Sequence, residues 1–193
     1  MEVSRSSEIN EILLRPGSQL HVISKGEKYL RSFSEIIGRL SKEQGKRGIL
    51  VSTLWSANAL SRRISITKLP KGSLKVIDTI SLSLGSDPSI NDDFVYLSTP
   101  VSLESILMEV ERLLMSQKGQ FNFLIMDSLS YLSRYYTPGQ LSEFFHFLLN
   151  RMIEEEMLIV IFDQDGVEGS LISRELSSAI DQTLTISDGG DGK

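Results

Sequence analysis

Phe123-Leu124-Ile125-Met126-Asp127-Ser128-Leu129-Ser130, led in by Gln120-Phe121-Asn122, is the stretch on which the reading of this chain turns. Four consecutive apolar residues without polar alternation suit a strand buried on both faces, the kind found inside a parallel sheet. Asp127 follows at the carboxyl end, where open α/β sheets bind their ligands. Outward from this strand, Gln19 to Ser24, Gly48 to Thr53, Leu74 to Ile80, Met157 to Phe162 and Gln182 to Ile186 also read as strands, and Phe94 to Leu97 as a short extended piece. Between them apolar residues recur at helical spacing. Leu30, Phe33, Ile36, Ile37 and Leu40 predict a helix from Glu27 to Glu43, and Trp55 to Ile64 a short one. Leu103, Ile106, Leu107, Val110, Leu113 and Leu114 mark a helix that Thr99-Pro100 is expected to open, with a capping residue followed by proline. Leu141, Phe144, Phe145, Leu148, Leu149 and Met152 mark another, behind a capping box in which Gln140 stands three residues after Thr137. Strands alternating with such helices predict a three-layer α/β/α fold around a mainly parallel sheet.

A chain of 193 residues holds one such domain, expected over 15–187, with an N-terminal segment 1–14 and a disordered tail 188–193. The formal net charge of -5 argues against a protein that coats nucleic acid by neutralising phosphates. Cysteine is absent, which removes disulfides, thiolate metal sites and cysteine nucleophiles. No apolar run approaches the roughly 20 residues of a membrane span, and the polar start Met1 to Glu8 carries no secretory signal. A cytoplasmic protein is expected.

Other chemistry is weakly supported. Asp127, Ser128 and His146 are the residue types of a hydrolase triad, but the Gly-x-Ser-x-Gly elbow is missing and His146 adjoins the apolar stripe of a helix. His21 lies within a strand, and two distant histidines do not make a zinc site. In Asp163-Gln164-Asp165-Gly166-Val167-Glu168 the glycine comes too early for a calcium loop and the ligands are too few.

The order and spacing of these segments resemble the RecA superfamily, in particular its KaiC-like ATPase domains, from Arg15 to Ile186. The resemblance rests on Pro16-Gly17 before a strand ending Val22-Ile23-Ser24, on Gly48-Ile49-Leu50-Val51-Ser52 and Val76-Ile77-Asp78-Thr79, on Phe123 to Ser130, and on Asp181-Gln182-Thr183-Leu184-Thr185-Ile186. It implies a RecA-like fold, ATP as ligand, and Asp127 at the Walker B position that holds magnesium against the nucleotide phosphates. A phosphate loop needs glycines that turn backbone N–H groups inward, a lysine, and a Ser or Thr hydroxyl on the metal. Here Ser24 passes to Lys25-Gly26-Glu27-Lys28-Tyr29, shorter than that pattern by about two residues. Only Gly26 and Lys28 match. Tyr29 stands where the hydroxyl should be, and Glu27 brings negative charge to the phosphate position. The catalytic glutamate that KaiC-like ATPases carry after the second strand is absent from Ser52-Thr53-Leu54-Trp55-Ser56.

The expectation is therefore a RecA-fold domain without ATPase activity, a regulatory or scaffolding subunit that acts through protein contacts with itself or with another RecA-fold subunit. Trp55, Tyr135 and Tyr136 are its candidate interface residues, since aromatic residues are enriched in interface cores. Asp127 is then a strand-end residue bonding nearby backbone N–H groups or capping the following turn. One rival reading keeps ATP and magnesium, in a remodelled pocket of Lys25, Gly26, Lys28 and Asp127, with slow hydrolysis or none. Another is a recombinase-like accessory to DNA. Tyr135 and Tyr136 suit stacking on bases, but Asp163, Asp165 and Glu168 in the next loop repel phosphate, so nucleic acid is not the expected partner.

Overall fold

The structure is a computed structural model that describes residues 15–24, 26–42, 45–64, 68–85, 92–97, 101–164, 176 and 179–186. Seven strands form one sheet: β1 (Gln19–Ser24), β2 (Gly48–Ser52), β3 (Leu74–Asp78), β4 (Phe94–Tyr96), β5 (Phe123–Asp127), β6 (Leu158–Gln164) and β7 (Gln182–Ile186). Their order is β4-β3-β2-β5-β6-β1-β7, and every pairing is parallel. Among the described residues five α-helices can be bounded: α1 (Glu27–Lys42), α2 (Ala57–Arg63), α3 (Leu103–Ser116), the single turn α4 (Leu129–Leu132) and α5 (Pro138–Glu154). None is long and apolar enough to cross a membrane.

The period of two along the strands divides the core. Phe123 and Ile125 of β5, with Leu158, Val160 and Phe162 of β6, pack beneath α1 and α2. Leu124 and Met126, with Ile159 and Ile161, pack beneath α3, α4 and α5. Both faces of β5 are thus covered, which is why its sequence shows no polar alternation.

Helix boundaries follow the caps. Thr137 accepts a hydrogen bond from the Gln140 amide while the Gln140 side chain accepts one from the Thr137 amide, as the sequence predicts. For α3 the start differs from expectation. Thr99-Pro100 lies outside the described residues, and the N-cap is Ser102, whose side chain accepts from the Ser105 amide at 3.1 Å. Ser105 answers it with a bond from the Ser102 amide, so the serine pair directly ahead of the apolar stripe fixes the first turn.

The connections leaving β1 and β2 pass to the face of α1 and α2, while those leaving β5 and β6 lead to residues on the other face. Crevices therefore open at the carboxyl ends of the strands, between β1 and β6 and between β2 and β5.

Candidate functional site at the carboxyl edge of the sheet

Polar residues line that edge. Ser24, Ser52, Asp78, Asp127 and Asp163 end or nearly end their strands, and all five are buried. Parallel register sets Ser52 beside both Asp78 and Asp127, and Ile23 beside Asp163.

Asp127 is sealed from water and held by the end of β2. Its Oδ1 accepts from the Thr53 amide at 2.5 Å and the Leu54 amide at 3.1 Å, and its Oδ2 lies 3.1 Å from the Ser52 hydroxyl, which stands 2.7 Å from the Trp55 carbonyl. Burial pushes its carboxyl up to about 6, against the opposing pull of these donors. Of the two structural roles open to it, Asp127 takes backbone N–H groups from the neighbouring strand end rather than from its own following turn. The Thr53 hydroxyl completes the latch by donating to the Asp127 carbonyl and accepting from the Ser128 amide.

Asp78 is committed in the same way. It accepts from the amides of Ala57 at 2.6 Å and of Ile80 and Ser81 at 2.8 Å each, and from the Ser81 hydroxyl at 2.6 Å, so it ties the start of α2 to the turn after β3. Asp163 accepts from the amides of Ser130 and Gln164, at 2.9 Å each, and from the Ser130 hydroxyl. His21 Nε2 stands 3.8 Å from its other oxygen, too far for a hydrogen bond.

The crevice between β1 and β6 is filled from above. Only Lys25 and Gly26 separate β1 from α1, so the first helical turn lies low on the sheet. Gly26 makes the sharp turn with a φ of 55°, and its carbonyl accepts from the Tyr29 amide at 3.2 Å. The Tyr29 ring then packs into the core, stacked on Phe33 at 5.9 Å and edge-on to Phe162 at 6.0 Å. Burial, with the Asp127 and Asp163 carboxylates nearby, holds its phenol well above the usual range. The hydroxyl lies beside Ser128 without a well-aligned hydrogen bond, and Ser24 Oγ and both His21 ring nitrogens are likewise buried without a partner.

Of the residues singled out from sequence for a nucleotide, Gly26 and Asp127 sit at this edge. Lys28 is half-buried in the first turn of α1, and Lys25 lies outside the described residues. The interface candidates are dispersed. Trp55 packs against the α1–α2 core with the Arg63 guanidinium 4.4 Å from its ring centre. Tyr136 packs on the opposite core, and its hydroxyl donates to the Val101 carbonyl at 3.1 Å. Tyr135 is exposed, its ring 5.2 Å from that of Tyr131. His146 is exposed on α5, away from buried Asp127 and Ser128, so no triad assembles. Among the described residues no group of three His, Asp or Glu could hold a metal ion.

Sequence reasoning did not find the partners of Asp127. Thr53 and Leu54 lie more than 70 residues away, and only the β2–β5 register reveals them. The insertion of Tyr29 did have a signal, the short link between strand and helix.

Known structures similar to this one include the KaiC-like protein PH0186 from the hyperthermophilic archaeon Pyrococcus horikoshii OT3. It superposes with a TM-score of 0.62 at 16% identity, over 88% of this chain and 72% of that one. The fold is KaiC-like, of the RecA type. PH0321 of Pyrococcus horikoshii, solved in complex with an unknown peptide, superposes with a TM-score of 0.65 at 14% identity, over 93% of this chain and 82% of its own. No protein-family model and no curated protein matches the sequence.

Proposed function

We propose that this chain is a KaiC-like subunit that hydrolyses no nucleotide and works through protein contacts, as a regulatory or scaffolding member of an assembly. The observation that carries this reading is the commitment of Asp127. A magnesium ion needs free carboxylate lone pairs, and here two backbone N–H donors already take Oδ1, while Oδ2 faces the Ser52 hydroxyl in a fully buried setting. Two further features support it. A two-residue link between β1 and α1 is too short to fold a nest of N–H groups around phosphates, and the Tyr29 ring fills the space above the ends of β5 and β6. No carboxylate stands in Ser52-Thr53-Leu54-Trp55 to activate a water. The bound peptide of the neighbour PH0321 is consistent with a fold that serves protein contacts.

Calorimetric titration with ATP, with and without magnesium, together with a phosphate-release assay, tests the reading. The expected result is neither binding heat nor turnover. Turnover on the order of one per minute that disappears in Asp127→Ala would overturn it.

A further inference from the structure

The protein is acidic overall, yet residues 39–75 carry nine Lys and Arg against Glu43 alone. The fold gathers these residues. Lys42 ends α1, Arg62 and Arg63 end α2, and Lys68 and Lys71 lie in the link to β3, all at the edge of the sheet opposite to the carboxylates. Beneath them Leu40, Leu60, Ile64 and Leu74 share one core, with Leu69 packed on it. Arg47 joins them through a bond from its Nε to the Gly72 carbonyl at 2.9 Å. Cations in the last turn of a helix complement its dipole, which accounts for Lys42, Arg62 and Arg63 but not for Lys68 and Lys71. Lys42, Arg62, Lys68 and Lys71 are exposed and pair with no carboxylate among the described residues.

We infer that this basic end is the docking surface for a short acidic segment of a partner protein. This deepens the reading of a protein-contact subunit and rests on it. Charge complementarity gives the sign of the partner, and the limits of the patch give its size. At the border Lys75 is paired with Asp93 at 3.6 Å, and residues 76–100 hold Asp78, Asp87, Asp92 and Asp93 with no Lys or Arg. A nucleic-acid strand carries its charge onward at every phosphate and would run from the patch past exposed Asp92 into a stretch of chain without a cation. A short run of Glu or Asp ends within it.

The test uses a fluorescently labelled peptide of alternating Glu and Leu, its counterpart with Gln for Glu, and a single-stranded oligonucleotide of similar length. Anisotropy is followed on the full chain at about 50 mM salt, where exposed charges are weakly screened. The Glu peptide should bind and the Gln peptide should not. Arg62→Glu with Lys71→Glu should weaken binding about tenfold or more, while Arg31→Glu with Arg134→Glu, equally exposed but elsewhere, should change it less than about threefold. Lys68→Gln with Lys71→Gln, checked by thermal melting, covers the case in which the charge reversal unfolds the chain. The proposal is overturned if the peptide does not bind, if both reversals weaken it equally, or if the oligonucleotide binds more tightly through the same residues. It also fails if sedimentation shows self-association that Arg62→Glu with Lys71→Glu abolishes, because a second copy then occupies the face. None of these outcomes bears on ATP turnover, so this inference and the reading beneath it can fail separately.

Discussion

At Asp127 a carboxylate sealed from water is kept ionisable only by the donors that surround it. Folded, it takes up its proton at about 6; unfolded, at its ordinary value of 3.8. Its ionisation therefore weakens the fold above that window, by about 3 kcal/mol for a shift of this size, and the penalty fades as pH falls. Denaturant titrations should show the wild type gaining about 1 kcal/mol on Asp127→Asn between about pH 7.5 and about pH 5. A gap that stays constant would mean that this carboxyl does not titrate in the fold. Tyr29 presents the complementary case, a buried hydroxyl with no hydrogen bond. Tyr29→Phe should be neutral or stabilising by up to about 1 kcal/mol, whereas Tyr29→Ala, which empties the space between Phe33 and Phe162, should cost about 3–5 kcal/mol in urea unfolding. A clear loss in the Phe variant would place a real bond on that hydroxyl. The missing carboxylate after β2 and the short loop after β1 could be read directly from the residues. The latch from Thr53 and Leu54 could not, because a hydrogen bond across a sheet depends on register, which no local pattern encodes.

Among the elements, β2 and β5 show how tightly register is specified. Gly48 is paired with Phe123, and a Cβ built on Gly48 would lie 1.9 Å from the Phe123 ring. The aromatic ring thus lies over a strand position that has no side chain. Gly48→Ala has to push a fully buried ring aside, and a loss of about 1–3 kcal/mol in chemical denaturation is expected, with a strand order that survives. An unchanged midpoint would show that the ring has somewhere else to go. The buried strands were legible as short apolar runs, and β5 above all, since hydrophobicity on both faces leaves no ambiguity about burial. The cap of α3 was less so. Thr99-Pro100 and Ser102 are both reasonable starts, and the choice fell to the serine that meets Ser105. The single turn α4 escaped notice because four residues are too few to show a helical period.

Over the whole molecule, composition concealed what topology reveals. A net charge of -5 averages a basic end against acidic residues spread over the remainder, and the sign of the protein as a whole says nothing about the sign of either edge. The two edges of the sheet consequently differ in kind: at one, carboxylates are turned inward and hydrogen-bonded; at the other, cations stand exposed in water. The strand order also governs how the chain comes together in time. Among the described strands β1 comes first in sequence, and it is flanked by β6 and β7, the last two. Until residues 158–164 have emerged from the ribosome, β1 has no neighbour on either side, and its apolar residues have only α1 to cover them. Such remote pairing makes folding slow and leaves an open strand exposed meanwhile. Residues 158–164 and 182–186 thus close the sheet around a strand made about 140 residues or more before them.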